Sequence, residues 1–228
     1  MKRSALAVVV LVLSPAALAA AELTAGIHWF GQSAFRLDGP PVVYVDPFRL
    51  PDGVPKADLI LVTHDHFDHC SPADVARIRT PKTVVIGPAE VGRKLPPPVE
   101  VIAPGESRTV HGVVVRAVRA YNTDKAFHPK ADGKLGFLVT VGGVTIYHAG
   151  DTDLIPEMSG LAPDVALLPV GGTYTMNADE AARAAAAIRP KVAVPMHYGS
   201  VVGSEQDAAR FAKLLEGSNI RTVILRKE

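Results

Sequence analysis

Residues 64–69, His-Asp-His-Phe-Asp-His, bring together side chains of the types that bind metal ions. In an extended or turning segment, His64 and His66 point to the same side and can hold one ion. Asp68 and His69 follow one turn later and can face a neighbouring ion. Imidazole nitrogens and carboxylate oxygens without a thiolate suit zinc, with iron or manganese as alternatives. The spacing therefore predicts a metal site, and a solvated polar loop is a poor alternative explanation.

The candidate ligands follow apolar runs that have the composition of buried strands. The segment 64–69 comes directly after Leu59-Ile60-Leu61-Val62, and Asp46, Asp151 and His197 each follow another such run. Loops at the carboxyl end of a buried strand can gather ligands, so this placement favours a site over scattered surface residues.

The pattern His-x-His-x-Asp-His after a strand resembles the signature motif of the metallo-β-lactamase superfamily. The resemblance covers nearly the whole chain after the amino terminus, starting with residues 27–33. Residues 147–153 and 195–199 are similar to the branch that contains ascorbate-6-phosphate lactonase-like proteins and relatives of N-acylphosphatidylethanolamine phospholipase D. Gln32 departs from that branch, in which many members have histidine after the glycine.

This resemblance implies a role for each of the remaining motif residues. Asp46 would order the metal-binding loop by hydrogen bonding without binding metal itself. A simple turn aspartate before a proline is the alternative for this residue. Asp151 would bridge two ions, and His197 would complete the ion held by Asp68 and His69. The cofactor expected is a pair of divalent metal ions, with zinc as the first expectation.

The third ligand of the ion held by His64 and His66 has three candidates. His128 lies in a polar loop between two predicted strands, where such a ligand is expected. Asn122 occupies the position after the strand that relatives fill with histidine, and His148 lies three residues before the Gly-Asp motif. His128 is the preferred candidate.

The activity that the resemblance implies is hydrolysis by a hydroxide shared between two metal ions, with an ester, a lactone or a phosphodiester as substrate. Asp68 would also serve as the catalytic base or orient the hydroxide. Tyr174 or Tyr198 could donate to a developing oxyanion, although packing is the commoner role. The alternatives are a non-catalytic periplasmic module that binds a metal or a ligand on the same fold, and a β-lactam hydrolase.

The charges point to a small-molecule substrate. Lys125, Lys130 and Lys134 cluster in one loop and would suit an anionic substrate, unless they only form a solvated face. Without Lys2 and Arg3 the chain has 22 basic and 23 acidic residues, so no nucleic-acid-binding surface is indicated.

Alternating short apolar runs and turn clusters predict a fold of the α/β class. It is expected to be an αββα sandwich of two packed mixed β-sheets with helices outside. Strands are predicted at residues 24–30, 34–37, 42–45, 59–63, 83–86, 113–118, 135–141, 144–148, 165–168, 192–195 and 222–225. Helices are predicted at residues 72–78, 178–188 and 204–215.

The amino terminus resembles a secretory signal peptide. Lys2 and Arg3 precede an uncharged run, and small residues follow. The predicted organisation is a signal peptide at residues 1–21 and one hydrolase domain at residues 22–228. The run is short for a membrane-spanning anchor, the first alternative, and a cytosolic enzyme with a fortuitously apolar terminus is the second. Cys70 is the only cysteine, so neither a lipid anchor after the apolar run nor a disulfide is expected, and a periplasmic or secreted location follows.

Overall fold

The computed structural model describes residues 15–228, which contain thirteen β-strands and five α-helices. The strands are β1 Ile27–Gly31, β2 Ala34–Leu37, β3 Val43–Val45, β4 Leu59–Leu61, β5 Val84–Gly87, β6 Glu100–Val101, β7 Ser107–Val110, β8 Val113–Arg119, β9 Leu135–Val141, β10 Val144–His148, β11 Val165–Pro169, β12 Val192–Met196 and β13 Arg221–Thr222. The helices are α1 Pro15–Thr24, α2 Pro72–Ile78, α3 Ala89–Lys94, α4 Ala178–Ile188 and α5 Glu205–Leu214.

The strands form two mixed sheets. The first has the order β1-β2-β3-β4-β5-β6, antiparallel up to β3 and parallel from β3 to β6. The second has the order β13-β12-β11-β10-β9-β8-β7, antiparallel from β7 to β10 and parallel from β10 to β13. Neighbouring parallel strands end at the same edge of a sheet, so the loops after β3 and β4 meet, as do those after β10 and β12.

The two faces of β4 pack in different cores, because successive strand side chains point to opposite sides. Leu59 and Leu61 join the core between the sheets. Ile60 packs in a second core with residues of α2 and α3 on the outer face of the first sheet. Helix α4 packs on β11 of the second sheet. The predicted αββα sandwich is therefore confirmed.

Two predicted helix starts have the caps that their sequences indicate. The side chain of Ser71 accepts a hydrogen bond from the backbone N–H of Asp74 at the start of α2. Asn177 and Glu180 form a capping box at the start of α4. These caps fix the residues at which α2 and α4 begin.

Several predicted boundaries differ from the structure. Thr24, predicted to open a strand, is the last residue of α1, and the final strand is Arg221–Thr222 rather than residues 222–225. The edge strands β6 and β7 and the short helix α3 were not predicted. Their exposed polar residues break the apolar alternation on which the strand predictions depended.

Most of the predicted signal peptide, with Lys2, Arg3 and the uncharged run, lies outside the described residues. Its last part belongs to α1, where Ala20 is buried in the core and Leu23 packs against it. Within residues 15–228, none of the helices combines the length and the hydropathy that a membrane crossing requires.

Candidate metal centre

Seven imidazole and carboxylate side chains converge from the four loops that follow β4, β8, β10 and β12. They form three overlapping groups, in each of which the nitrogen and oxygen atoms lie within 4.8 Å of one another. Apart from His66, which is half-buried, all are buried. The groups are His64 with His66 and His128, His64 with His69 and Asp151, and Asp68 with His69 and His197.

The carboxylate of Asp151 stands between the groups. Its Oδ1 atom lies 3.2 Å from Nε2 of His69 and 3.2 Å from Nε2 of His197. Its Oδ2 atom lies 3.5 Å from Nε2 of His128. The two oxygens thus face opposite halves of the cluster, an arrangement suited to a carboxylate shared by two ions.

Asp46 and Thr63 orient two imidazoles of this cluster through hydrogen bonds. Asp46 is fully buried and accepts hydrogen bonds from the backbone N–H and the hydroxyl of Thr63, both at 2.7 Å. It also accepts one from Nδ1 of His69 at 2.7 Å. Because the Thr63 hydroxyl donates to Asp46, it can accept from Nδ1 of His64, which lies 2.9 Å away. Both imidazoles are thereby held with Nε2 free to face the cluster.

The three candidates for the remaining ligand have different places. Nε2 of His128 lies 3.3 Å from Nδ1 of His66, inside the cluster. Asn122 accepts hydrogen bonds from the backbone N–H and from Nδ1 of His128 through its Oδ1 atom, so it orients this histidine. His148 donates from Nε2 to the carbonyl of Ser33 and accepts at Nδ1 from Gly150. The structure therefore brings His128 to the site, with Asn122 behind it and His148 turned away.

The charge state differs among the imidazoles that surround the ionised Asp151 carboxylate. Burial lowers the pKa of His64 well below its ordinary value and that of His128 to about 4, so both are neutral at pH 7. Burial raises the pKa of Asp151, but His197 and His69 outweigh it and hold this pKa well below the ordinary range. Burial also lowers the pKa of His69, yet Asp151 and Asp46 raise it well above the ordinary value.

The hydrogen-bonding state of the donor atoms shows whether they suit metal ions. Within the described part of the chain, Nε2 of His64 is buried without a hydrogen-bond partner, and Nε2 of His69 and Oδ1 of Asp151, 3.2 Å apart, are not aligned for a hydrogen bond with each other. Buried polar atoms of this kind are rare unless something binds them. Imidazole and carboxylate donors without a thiolate match zinc and related divalent ions, so the residues fit such a group.

Comparison with known proteins identifies similar metal-dependent hydrolases. The sequence pattern of the Beta-lactamase superfamily domain matches residues 26–197. A UPF0173 metal-dependent hydrolase of Thermoplasma acidophilum is 37% identical over 201 residues, which cover 82% of this chain and 89% of the relative. This chain belongs to the UPF0173 metal-dependent hydrolase family, within the metallo-β-lactamase superfamily.

Solved structures of similar proteins share the fold of the hydrolase. A candidate metal-dependent hydrolase from Parabacteroides distasonis has a TM-score of 0.80 and 33% identity, with 88% of this chain and 92% of that chain covered. A candidate zinc-dependent hydrolase of the same superfamily from Thermotoga maritima has a TM-score of 0.58 and 27% identity, with 87% and 96% covered.

One supporting residue of the hydrolase was not predicted to contribute. Gln32 is buried and donates from Nε2 to Oδ2 of Asp68 at 3.1 Å, and the same nitrogen lies 3.0 Å from Nε2 of His197. Its backbone carbonyl accepts from the backbone N–H of His197. Both residues have positive φ angles, 51° for Gln32 and 59° for His197, a conformation that costs energy in residues other than glycine. The only indication of this role in the sequence was that Gln32 stands where many members of the resembling branch have histidine.

A cavity of about 270 Å³ opens over the cluster. Tyr174 lines it, whereas Tyr198 packs against Trp29 with ring centroids 4.8 Å apart and is not part of this lining. Of the two tyrosines considered as donors, Tyr174 faces the cavity, and Tyr198 has the packing role that was its alternative. The buried Cys70 is also absent from the lining, and burial raises the pKa of its thiol to about 12.

Proposed function

We propose that this hydrolase binds two divalent metal ions, with zinc preferred over iron or manganese, and cleaves an ester or a lactone. A phosphodiester is the second candidate substrate. The observation that carries the proposal is the Asp151 carboxylate, whose two oxygens face separate groups of imidazoles. His64, His66 and His128 would hold one ion, and Asp68, His69 and His197 the other. The zinc dependence named for the Thermotoga maritima protein supports the choice of metal.

Bound divalent ions supply Lewis acidity and lower the pKa of water toward neutrality. The chain contributes the rest of the chemistry. Asp68, held by Gln32 and facing the cavity, is placed to orient the attacking water and accept its proton. Tyr174 lines the same cavity and is the candidate donor to the negative charge that develops on the substrate. The buried loops around His64 and His69 hold the imidazoles in one orientation and limit access of bulk water.

Two finer expectations belong to the same proposal. Residues 147–153 and 195–199 support a relationship with the ascorbate-6-phosphate lactonase-like and phospholipase D-like branch. The basic and then apolar amino terminus supports export to the periplasm or the medium. The mass of the protein isolated from its own cells tests export, because removal of residues 1–21 leaves a chain that begins at Glu22.

The first experiment measures the metal content of the purified full-length chain by elemental mass spectrometry after reconstitution with zinc. The expected result is about two ions per chain, with a clear loss in Asp151→Ala. A matched control is His111→Asn, because His111 is exposed and lies outside the cluster. This variant is expected to keep the wild-type stoichiometry. No stoichiometric metal in the wild-type chain would overturn the proposal.

The second experiment assays the metal-loaded protein against an ester, a lactone, a phosphodiester and a β-lactam. Turnover of the ester or the lactone that disappears on chelation and returns with zinc is the expected result. Stoichiometric metal without turnover of any of the four would instead assign a metal-binding module on a hydrolase fold.

A further inference from the structure

The phenylalanines of the chain divide sharply between its interior and the cavity over the metal centre. Five of the seven are buried. The other two, Phe67 and Phe127, are 62% and 48% exposed, and both line this cavity. Exposed aromatic side chains that converge on one site are typical of ligand-binding surfaces. We propose that the apolar rim of this cavity, formed by Phe67, Phe127 and Val201, binds the apolar acyl part of a neutral ester or lactone, an inference that rests on the proposed hydrolase function.

The rim is braced by neighbouring rings. Phe127 packs edge-on against Tyr174, with ring centroids 4.6 Å apart. Phe67 packs edge-on against Phe48 at 5.9 Å. Val201, 38% exposed, completes the apolar lining. Because aromatic contacts hold the rings, the rim is a preformed surface that an apolar group can cover at little ordering cost.

The polar part of the cavity lies below the rim. His66, Asp68, His128, Asp151 and His197 form its floor. An ester carbonyl placed on this floor therefore leaves its acyl chain against the apolar rim. The volume of about 270 Å³ is slightly below the usual range for small-molecule sites, so the acyl chain is expected to be short.

The lysines that suggested an anionic substrate are held by carboxylates. Lys125 donates to Asp153 at 2.5 Å and to Asp124 at 3.2 Å. Lys130 donates to Glu157 at 3.0 Å and to the hydroxyl of Tyr121 at 3.2 Å. These two ammonium groups are therefore already neutralised by partners of the chain itself.

The third lysine is buried. Lys134 donates to Glu90 at 3.2 Å and lies 3.6 Å from a carboxylate oxygen of Asp132. Among the described residues, no lysine or arginine lines the cavity. Arg49 lies outside this lining, over the Phe48 ring and within hydrogen-bond distance of Ser200. An anionic acyl group at the rim would thus lack a cationic partner.

The test measures binding rather than turnover. Straight-chain hydroxamic acids from two to six carbons carry a metal-binding head and an apolar tail, and calorimetry on the zinc-loaded protein gives their affinities. The dissociation constant is expected to fall with each added methylene, by at most about fourfold. Succinic monohydroxamic acid, with a carboxylate at its tail, is expected to bind more weakly than the four-carbon neutral compound.

Two exposed valines provide a matched pair of variants. Val201→Ser changes the rim, and Val114→Ser changes a valine of 45% exposure on β8 outside the cavity. Val201→Ser is expected to reduce the gain per methylene, whereas Val114→Ser leaves it unchanged. Phe127→Ala should reduce it further, with zinc stoichiometry measured on the same sample because His128 is adjacent.

The outcomes separate this inference from the proposed function. Hydroxamates that bind with affinity independent of tail length, or a carboxylate tail that binds more tightly, would overturn the inference and leave the hydrolase intact. Absence of both zinc and hydroxamate binding would reject the proposed function and the inference with it. A concentration-dependent dimer in sedimentation that Val201→Ser dissociates would assign the rim to a subunit contact and overturn the inference.

Discussion

At the scale of single residues, the site depends on side chains that fix the imidazoles as much as on the imidazoles themselves. Asp46 accepts three hydrogen bonds, two from Thr63 and one from His69. Its φ angle of 47° is a left-handed conformation that aspartate tolerates better than most residues. The network leaves Nε2 of His64 and of His69 as the atoms that face the cluster.

Asp46→Asn is expected to weaken metal binding by about 10- to 100-fold, because an amide replaces one of the two accepting oxygens with a donor. Competition with a chromophoric chelator measures the affinity. The control is Asp58→Asn, since Asp58 also accepts a backbone N–H, from Val42 at 2.8 Å, but lies outside the metal cluster. Equal losses of affinity in both variants would contradict an orienting role for Asp46.

The ligand types were predictable from the sequence, whereas their supporting partners were not. Histidine and aspartate at the spacing of residues 64–69 carry a recognisable chemical signature. Gln32 contributes through its hydrogen bond to Asp68, which lies 36 residues away in the sequence. Asn122 contributes through a hydrogen bond with His128 that depends on the conformation of their loop. Asn122 was considered only as a ligand, because nothing in the local sequence indicates that it bonds to Nδ1 of His128.

At the scale of elements, tight turns after the strands set the direction of the ligands. Gly150 has a φ angle of 65° and precedes Asp151. A Cβ atom at this position would lie 2.4 Å from the carbonyl oxygen of Leu135. The turn after β10 therefore requires glycine for two reasons, its backbone conformation and the close approach of β9.

Gly150→Ala is expected to destabilise the protein by more than the roughly 1–2 kcal/mol that a left-handed conformation alone costs. The matched control is Gly142→Ala, because Gly142 has a φ angle of 58° and nothing within 4 Å of the position of its Cβ atom. Urea unfolding of both variants measures the difference in free energy. Equal destabilisation would show that the contact with Leu135 relaxes without cost.

A half-buried carboxylate at the starts of three central strands of the second sheet is expected to make a pH-dependent contribution to stability. Asp164 accepts hydrogen bonds from the backbone N–H of Thr145 at 2.8 Å and makes an ion pair with Lys191 at 2.7 Å, so it ties the starts of β10, β11 and β12 together. Burial raises its pKa, but Lys191 and Thr145 outweigh burial and hold the pKa below the ordinary value. A carboxyl group with a lowered pKa stabilises the fold above its unfolded-state pKa and loses this effect as the pH falls.

Asp164→Asn is therefore expected to lower the free energy of unfolding by about 1 kcal/mol at pH 7. This deficit should shrink as the pH falls below about 4, where the wild-type carboxyl group also becomes protonated. Urea unfolding between pH 7 and pH 3 measures it, with Glu216→Gln, at an exposed carboxylate, as the control. A deficit that stays constant to pH 3 would contradict the ionic contribution.

Strands with alternating or continuous apolar residues were predicted well, whereas the exposed edge strands β6 and β7 were not. In β4, the buried residues on both faces produce a continuous apolar run. Strand β7 has the sequence Ser-Arg-Thr-Val with exposed and half-buried positions, a composition that does not indicate a strand. Its strand conformation depends instead on its hydrogen-bonded pairing with β8. At edges, tertiary hydrogen bonds override the weak local pattern.

At the scale of the whole molecule, the metal centre joins the two sheets. The loop of residues 64–69 leaves the first sheet after β4, whereas Asp151 and His197 leave the second after β10 and β12. The sequence predicts three of the strand ends that carry candidate ligands, because residues 64–69, Asp151 and His197 each follow an apolar run, whereas His128 lies in a polar loop. It does not predict how the two sheets face one another, since that depends on the packing of side chains such as Leu61 and Phe137 in their common core.

Because ligands from both sheets meet at this centre, bound metal is expected to stabilise the fold as a whole. A ligand that binds only the folded state at 1,000 times its dissociation constant adds about 4 kcal/mol. For a chain of 228 residues this corresponds to an increase of about 10 °C in the unfolding midpoint. Removal of metal with a chelator should lower the unfolding midpoint by this amount in differential scanning calorimetry, and zinc should restore it.

Asp151→Ala, in which the carboxylate between the two groups is lost, should respond much less to chelation, whereas His111→Asn should respond like the wild type. An unfolding midpoint that chelation leaves unchanged in the zinc-loaded wild-type chain would show that the metal does not link the two sheets.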